Sequence, residues 1–532
     1  YGPNNAVLAL AGDIDVETAK AKVTKFFGDI PAGPPLIKPE RWIAKRLEEK
    51  REVMFDNVPQ ARIYKIWNVP ERDTEAAAHF DLASSILVGG KNSPLYKELV
   101  YEKQIATNVS SFYYDREIAG MFFITADVVA GVDPAIVEQS MDEVMEAFIK
   151  KGPSTKLLKA EKTKAVAGFI RGIQRIGGFG GKSDLLATCQ TYTGNPGCYQ
   201  ESAKYLDAAT SSKIKATFAE WIDDTPYVLT ILPSDQYGLS DESVDRSTGV
   251  PYPTEKVSFK FPTLQTATLS NGAKVVLAQR SDVPLVEMNF QFNFGYAQEN
   301  NDELGFTNFM MDMLNEGTRK YSSLEFDQIL DSLGSNIGFG SGLDSSFVSI
   351  SSLKDNLDET LDLAKEAVMY PTFPLDEIER IKKQTLAAFK REEFRPASIA
   401  FRNIGNLLYG QDHPYGKLLI GSGVSETIRS LTQSDLSSIH KRTLNPKNLT
   451  FVVAGDISLD EITQTLEKKF GSWNADMSSP LKDLSNVELP DTRIVYLIDK
   501  PKTQQNYIMT VRLLTPPAPA QDLDRKEKHP DT

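Results

Sequence analysis

Between Val286 and Phe294 the chain alternates strictly. Val286, Met288, Phe290, Phe292 and Phe294 point one way, while Glu287, Asn289, Gln291 and Asn293 point the other. That period of two predicts a strand with one buried face. Just upstream, TATLSNGAKVVLAQ sets Asn271-Gly272 between two alternating runs, which predicts a β-hairpin. The segments ARIYKIW, MFFITADVV and YVLTIL also read as strands, separated by amphipathic helices. Near the start the period changes. Ala6 to Ala11 is an apolar run that predicts a buried strand, and Val16, Ala19, Val23 and Phe27 then fall on one helical face. Alternation with hairpins predicts mostly antiparallel sheets with helices packed on one face, an α+β design.

The strand-and-helix passage occurs twice. PNNAVLALAGDIDVETAKAKVTKFFGDIP opens at Pro3, and PKNLTFVVAGDISLDEITQTLEKKFGSWN opens at Pro446. An offset of 443 residues holds without a gap, placing Gly12 on Gly455, Asp13 on Asp456 and Phe27 on Phe470. Leu459, Ile462, Leu466 and Phe470 occupy the helical face that Val16, Ala19, Val23 and Phe27 occupy in the first copy. The period is far too long for a solenoid, so a whole multidomain unit is duplicated. IPAGPPLIKPE, SDQYGLSDESVDRSTGVPYPTEKVSF and the stretch after Trp473 read as linkers. RIVYLIDK follows the last of these, with Asp499 matching Asp56 at the same offset. The expected divisions are 1–35, 48–233, 263–475 and 491–532, the first and last being incomplete.

A chain of 532 residues is too long for one core. Its net charge of −13 argues against a general nucleic-acid binder. No apolar run reaches the roughly 18 residues that span a membrane. The chain opens at Tyr1 inside the first copy, so its natural N-terminus is expected to lie outside it. Cys189 and Cys198 flank TYTGNPG and are either two free thiols or a disulfide, the second implying an oxidising compartment.

Four segments, YGPNNAVLALAGDID, SPLYKELVYEKQIATNVSSF, GFTNFMMDMLNEGT and HPYGKLLIGS, together resemble the pitrilysin/insulinase-type zinc metallopeptidases in order and spacing. The resemblance runs from Tyr1 to about Leu514. It implies repeated LuxS/metallohydrolase-like α+β domains, arranged as two halves that close around a peptide. In that family a helix carries HxxEH. The two His at i and i+4 bind zinc, and the Glu is the general base on the zinc-bound water. A further Glu, roughly 76 residues on, is the third protein ligand. An Arg and a Tyr, seven residues apart, come from the far half and help hold substrate.

Mapped residue by residue, the first His position is Asn308, the Glu is Met311, the second His is Asp312 and the third ligand falls near Ala388. An amide and one carboxylate make a poor zinc pair, and Met311 cannot act as a base. Glu392 and Glu393, one turn beyond Ala388, read as solvated. The Arg/Tyr positions are Val100 and Thr107, so that pair is lost too. Taken with the duplication, the resemblance implies that an intact zinc motif would fall about 135 residues ahead of Tyr1 and an intact Arg/Tyr pair about 10 to 20 residues past Thr532. The chain itself has four His, at 79, 413, 440 and 529, with no HxxEH or HxxxH pair.

The resemblance thus implies zinc in the parent family, with none expected on this chain, and no catalytic residue here. It implies peptide substrates, and either a missing N-terminal catalytic domain or a catalytic partner subunit. A non-catalytic scaffold that binds extended peptides along sheet edges is the other reading. Localisation is expected to be periplasmic or otherwise exported. The Gly-rich run at 176–183 fails as a phosphate loop, because Ile176 stands where the first Gly is required and the segment before it reads as a helix. Gly338–Gly342 reads as a strand with close backbone approach, and His413 in HisProTyrGly as a structural turn.

Overall fold

The computed structural model describes residues 2–35, 37, 40–56, 58–222, 225–233, 263–410, 413–417, 419, 421–474, 494–500 and 506–512. Within them lie two sheets. The first contains β1 (Lys50–Asp56), β2 (Arg62–Val69), β3 (Ala106–Tyr114), β4 (Gly120–Val128) and β5 (Tyr227–Pro233), in the order β1-β5-β2-β4-β3. The second contains β6 (Gln265–Thr268), β7 (Lys274–Gln279), β8 (Leu285–Phe292), β9 (Asn336–Ser341), β10 (Ser346–Leu353) and β11 (Leu449–Gly455), in the order β6-β7-β11-β8-β10-β9. Only β1–β5 and β7–β11 pair in parallel, so both sheets are mostly antiparallel. The helices of the first half are α1 (Val16–Phe27), α2 (Glu75–Val88), α3 (Pro94–Tyr96), α4 (Pro134–Lys151), α5 (Thr155–Gly172), α6 (Lys182–Thr193), α7 (Tyr199–Ala208) and α8 (Ser211–Trp221). Those of the second are α9 (Phe306–Asp312), α10 (Ser323–Leu333), α11 (Leu357–Met369), α12 (Leu375–Glu393), α13 (Pro396–Tyr409), α14 (Ser425–Ser430), α15 (Gln433–Thr443) and α16 (Leu459–Phe470).

Each sheet buries one face. In β8, Val286, Met288, Phe290 and Phe292 are sealed under the helices, and Glu287 and Gln291 face out, as the alternation predicts. The Asn271-Gly272 hairpin forms between β6 and β7. Gly272 sits at φ +91, a left-handed angle at which a side chain would be strained. The core of the second sheet centres on an aromatic trio. Phe290 and Phe451 rings lie 4.7 Å apart and edge-on, and Phe470 from α16 lies 5.3 Å from Phe290. The first sheet has its own trio of Phe80, Phe122 and Phe218.

The duplicated passage adopts two different fates. Both copies form a 12-residue helix at the same offset, α1 and α16, each N-capped by a short polar side chain, Asp15 or Ser458. In the second copy, β11 lies between β7 and β8, and Ile462, Leu466 and Phe470 are buried. In the first copy, residues 6–11 form no strand, contrary to the expectation, and Val7, Leu8 and Leu10 are exposed. The cause is the missing neighbour: no described strand pairs with them, and α1 buries nothing. Gly12 and Gly455 show the difference at one atom. Their φ values are +153 and +150, but a Cβ on Gly455 would strike Leu285 O at 2.3 Å, whereas one on Gly12 would meet nothing within 4 Å. The copy of β1 behaves like the first copy: residues 494–500 carry no regular structure. Most of the division expected at 491–532 lies outside the described residues.

The two fates predict unequal mutational costs. Phe470→Ala should destabilise the chain by about 3–5 kcal/mol, the cost of emptying a packed aromatic site. Phe27→Ala, at the equivalent but exposed position, should stay within about 0.5 kcal/mol. Urea unfolding of the two variants checks this; equal losses would mean that α1 is packed in solution.

Candidate functional site

The helix that matches the zinc motif is α9, and its surroundings are built to hold it without a metal. Gly305 precedes it at φ +91, and a Cβ there would fall 2.6 Å from Gly423 Cα, so the helix start and the 421–423 loop touch backbone to backbone. The Glu299 carboxylate accepts from Gly305 N at 2.9 Å and Thr307 N at 2.6 Å, satisfying donors that a helix start leaves free. Burial pushes Glu299 up to about 7, against the opposing pull of those two N–H groups.

Asn308 and Asp312 share a face, one turn apart. Asn308 Nδ2 donates to Gly421 O at 2.9 Å, so the first ligand position serves as a loop anchor. Gly421 has to be a glycine, because a Cβ would lie 2.4 Å from that same Nδ2 and its φ is +63. Met311 is fully buried beside Phe309 and Met310, so the general-base position belongs to the core. Asp312 is exposed to water on its outer side. Crowding by protein on its inner side, with the nearby Glu316 carboxylate, pushes it up to about 6, a push that the open surface tempers.

Ala388 is half-buried on α12. Glu392, one turn on, is not simply solvated as the sequence suggests. It pairs with Arg402 Nη1 at 2.7 Å, and the same Arg402 donates to Ser422 Oγ at 2.8 Å and Gly423 O at 2.7 Å. The loop at 421–423 therefore ties α9 to α12 and α13 through hydrogen bonds. An amide already committed to a carbonyl, a thioether in the core and a lone carboxylate do not fit zinc. Among the described residues, no group of three His, Cys, Asp or Glu could hold a metal ion.

No pattern in the sequence marks the strongest electrostatic feature nearby. Glu316, four residues past Asp312, is buried and receives Lys91 Nζ at 2.8 Å, Arg380 Nη2 at 2.6 Å and Ser323 Oγ at 2.7 Å. Burial pushes Glu316 up, but Lys91 and Arg380 outweigh it and hold the carboxyl below its ordinary range. Arg380 also pairs with Glu377 at 2.6 Å, and Glu377 accepts from Tyr101 OH at 2.5 Å. Lys91 and Tyr101 come from the first sheet's unit, the other partners from the second's.

Val100 and Thr107, the positions that the resemblance assigns to an Arg/Tyr pair, have structural roles as well. Val100 lies in the core, in a wide helical turn at Lys97–Glu102 that follows α3. Thr107 Oγ1 accepts from Gln60 Nε2 at 2.7 Å, beside a bulge in β3. The remaining described His are bonded within the fold: His79 Nδ1 to Thr217 Oγ1, His440 Nε2 to Val368 O, and His413 Nδ1 accepting from Tyr415 N. His529 lies outside the described residues. The Gly-rich run at 176–183 links two helices, with α5 before it where a phosphate loop needs a strand. Cys189 on α6 and Cys198 at the start of α7 are at bonding distance, with Cα atoms 5.3 Å apart.

The "peptidase M16 inactive domain" description matches residues 1–165 and again 430–529, and "insulinase (peptidase family M16)" matches 274–421, which include α9. The chain belongs to the M16 peptidase family. That one description fits both ends of this M16 chain agrees with the internal duplication. Curated relatives include an uncharacterized zinc protease of Rickettsia felis, 24% identical over 38% of this chain and 49% of its own length. Another is the non-peptidase homolog YmxG of Helicobacter pylori, 24% identical over 39% of this chain and 48% of its own. Among solved structures, a peptidase M16 inactive domain from Pseudomonas fluorescens is 27% identical, covers 43% of this chain and 54% of its own, and has a TM-score of 0.40. The chain spans about half the length of the curated relatives it matches. Among its described residues no helix is long and apolar enough to cross a membrane.

Glu299 yields a pH prediction. It ionises near 4.5 unfolded and near 7 folded. A carboxyl raised by folding keeps its proton longer in the folded state, so its favourable contribution is complete below about 4.5 and is lost as pH rises through 7. The stability of wild type relative to Glu299→Gln should therefore fall across that window, by up to about 3 kcal/mol. Chemical denaturation at several pH values reads this, and a pH-independent difference would show that Glu299 titrates normally.

Proposed function

We propose that this chain supplies the non-catalytic walls of a two-half M16 zinc metallopeptidase that hydrolyses peptides in a closed chamber. In this reading residues 1–35 end a catalytic domain, 48–233 form a whole non-catalytic domain, 263–475 form a worn copy of the catalytic domain, and 491–532 begin a fourth. The observation that carries it is α9, whose zinc and base positions hold Asn308, Met311 and Asp312, each given over to packing, loop anchoring or solvent. The bare first copy of the duplicated passage supports it too, since a strand of that sequence needs sheet neighbours of the kind that β7 and β8 give β11. Zinc and the general base would then come from another domain, in the same polypeptide or a partner subunit.

A second reading is favoured by one observation, the relative called a non-peptidase homolog. The chain would then be a scaffold subunit that binds extended peptides without cutting them. The coding sequence upstream separates the two readings: an HxxEH about 135 residues before Tyr1 favours the first. Either way the purified chain, supplied with zinc, should not cleave an unstructured peptide. Chelator-sensitive cleavage that persists after repurification would overturn both.

Export is the compartment this reading favours, supported by the approach of Cys189 and Cys198, since disulfides persist in oxidising compartments. Thiol titration of unreduced, denatured protein should find no free thiol and, after reduction, two. Two free thiols before reduction would argue against export.

A further inference from the structure

The two hydrophobic cores stop short of each other. The core on β2 and β4 draws only on residues 61–228, and the core on β8 and β11 only on 267–473. Mostly polar contacts join them, beside a close approach of Ala167 to Gly334, and the ion pairs that cross set lysines of the first unit on carboxylates of the second. The first unit offers the cations Lys91, Lys164 and Arg171. The second receives Lys91 on Glu316 and Lys164 on Asp331. Arg171 donates to Gly334 O at 2.7 Å and Ser351 Oγ at 2.7 Å.

Backbone geometry supports a fitted contact. Lys91 N donates to Asp327 Oδ2 at 2.9 Å, and a Cβ on Gly90 would lie 2.8 Å from that oxygen. The deepest of these contacts is at Glu316, in the turn that follows the worn helix α9. There Lys91 brings an ammonium from the other unit to a carboxylate that Arg380 already holds from within. Glu316 stays paired if Lys91 is removed, so the second unit does not need Lys91 to remain folded.

We propose that the turn after α9, together with α10, forms one side of an electrostatic joint, in which Lys91, seconded by Lys164 and Arg171, fixes the angle between the two units. The angle rests on charge pairing more than on shared apolar core, so it responds to ionic strength and to single charges. The proposal does not need the chain to be part of a peptidase, and cleavage by the purified chain would leave it standing.

The test is the distance distribution between spin labels on Lys150→Cys in the first unit and Lys468→Cys in the second, in the full chain, with the native cysteines left as they are. Wild type should give one narrow distance at low salt and a broader distribution at about 1 M salt, where screening shortens to about 3 Å. Lys91→Met should broaden it at low salt, raising the fraction outside the main distance about tenfold or more, and adding Lys164→Met should broaden it further. Lys204→Met, which removes a lysine paired only with Glu201 in its own unit, should change nothing. Unchanged distributions in both Lys91→Met and Lys164→Met would overturn the proposal, as would equal broadening in Lys204→Met. Should Lys91→Met lose secondary structure, Lys164→Met carries the test by the same criterion, its side chain being the more exposed of the two.

Discussion

A β-strand needs partners for its backbone on each buried edge, and in the second sheet that constraint falls on β11. It lies between β7 and β8, and the rest of the unit takes its position from it. Pairing with both neighbours brings Gly455 against Leu285 O, where only a glycine fits. It also sets Phe451 edge-on to Phe290, and Phe470 then closes the trio from α16. Burying backbone without partners would cost about 1–3 kcal/mol per group, so the strand and its neighbours form together or not at all. Residues 6–11 carry nearly the same pattern without those neighbours, and they form no strand. Helix α1 forms beside them because a helix closes its hydrogen bonds within itself. The duplicated passage thus separates local from tertiary determinants of structure within a single chain.

The surroundings of α9 show how hydrogen bonds can hold a helix in place without a metal. A bound zinc would clamp two helices through coordination bonds. Here Asn308 holds Gly421, Arg402 holds Gly423 and Ser422, and Glu392 holds Arg402, so the same helices are linked through one loop. Glu299 completes the arrangement at the helix start, at the cost of a buried carboxyl. None of these contacts supplies a nucleophile, base or Lewis acid. They supply rigidity.

The sequence made visible whatever depends on period or on near neighbours. The alternation in β8, the Asn271-Gly272 turn and the faces of α1 and α16 all come from spacings of two to four residues, and the structure contains them. The family resemblance, carried by GFTNFMMDMLNEGT, pointed to α9. What stayed hidden depends on partners far away in the chain. Lys91 and Glu316 are 225 residues apart, and no local pattern marks either as buried. Glu392 looked solvated because its partner Arg402 is on the next helix, beyond a bend. The strand expected at residues 6–11 failed for the complementary reason: its pattern was right, but strand formation rests on cross-strand packing more than on intrinsic preference.

The sorting of charge across the two units follows from the same economy of apolar surface. Each sheet covers one face with its own helices, and each core is closed. Little apolar surface is then left to hold the units together, so most of the contact between them is polar. A buried carboxylate such as Glu316 is tolerated only when cations repay its lost hydration, which Arg380 does from inside and Lys91 from outside. An interface of this kind discriminates sharply by position, because an ion pair displaced by an ångström or two loses hydrogen bonds that water does not immediately replace. An apolar interface would hold more tightly but would slide. For two units held at a fixed angle, paired charges give more positional discrimination than apolar contact does.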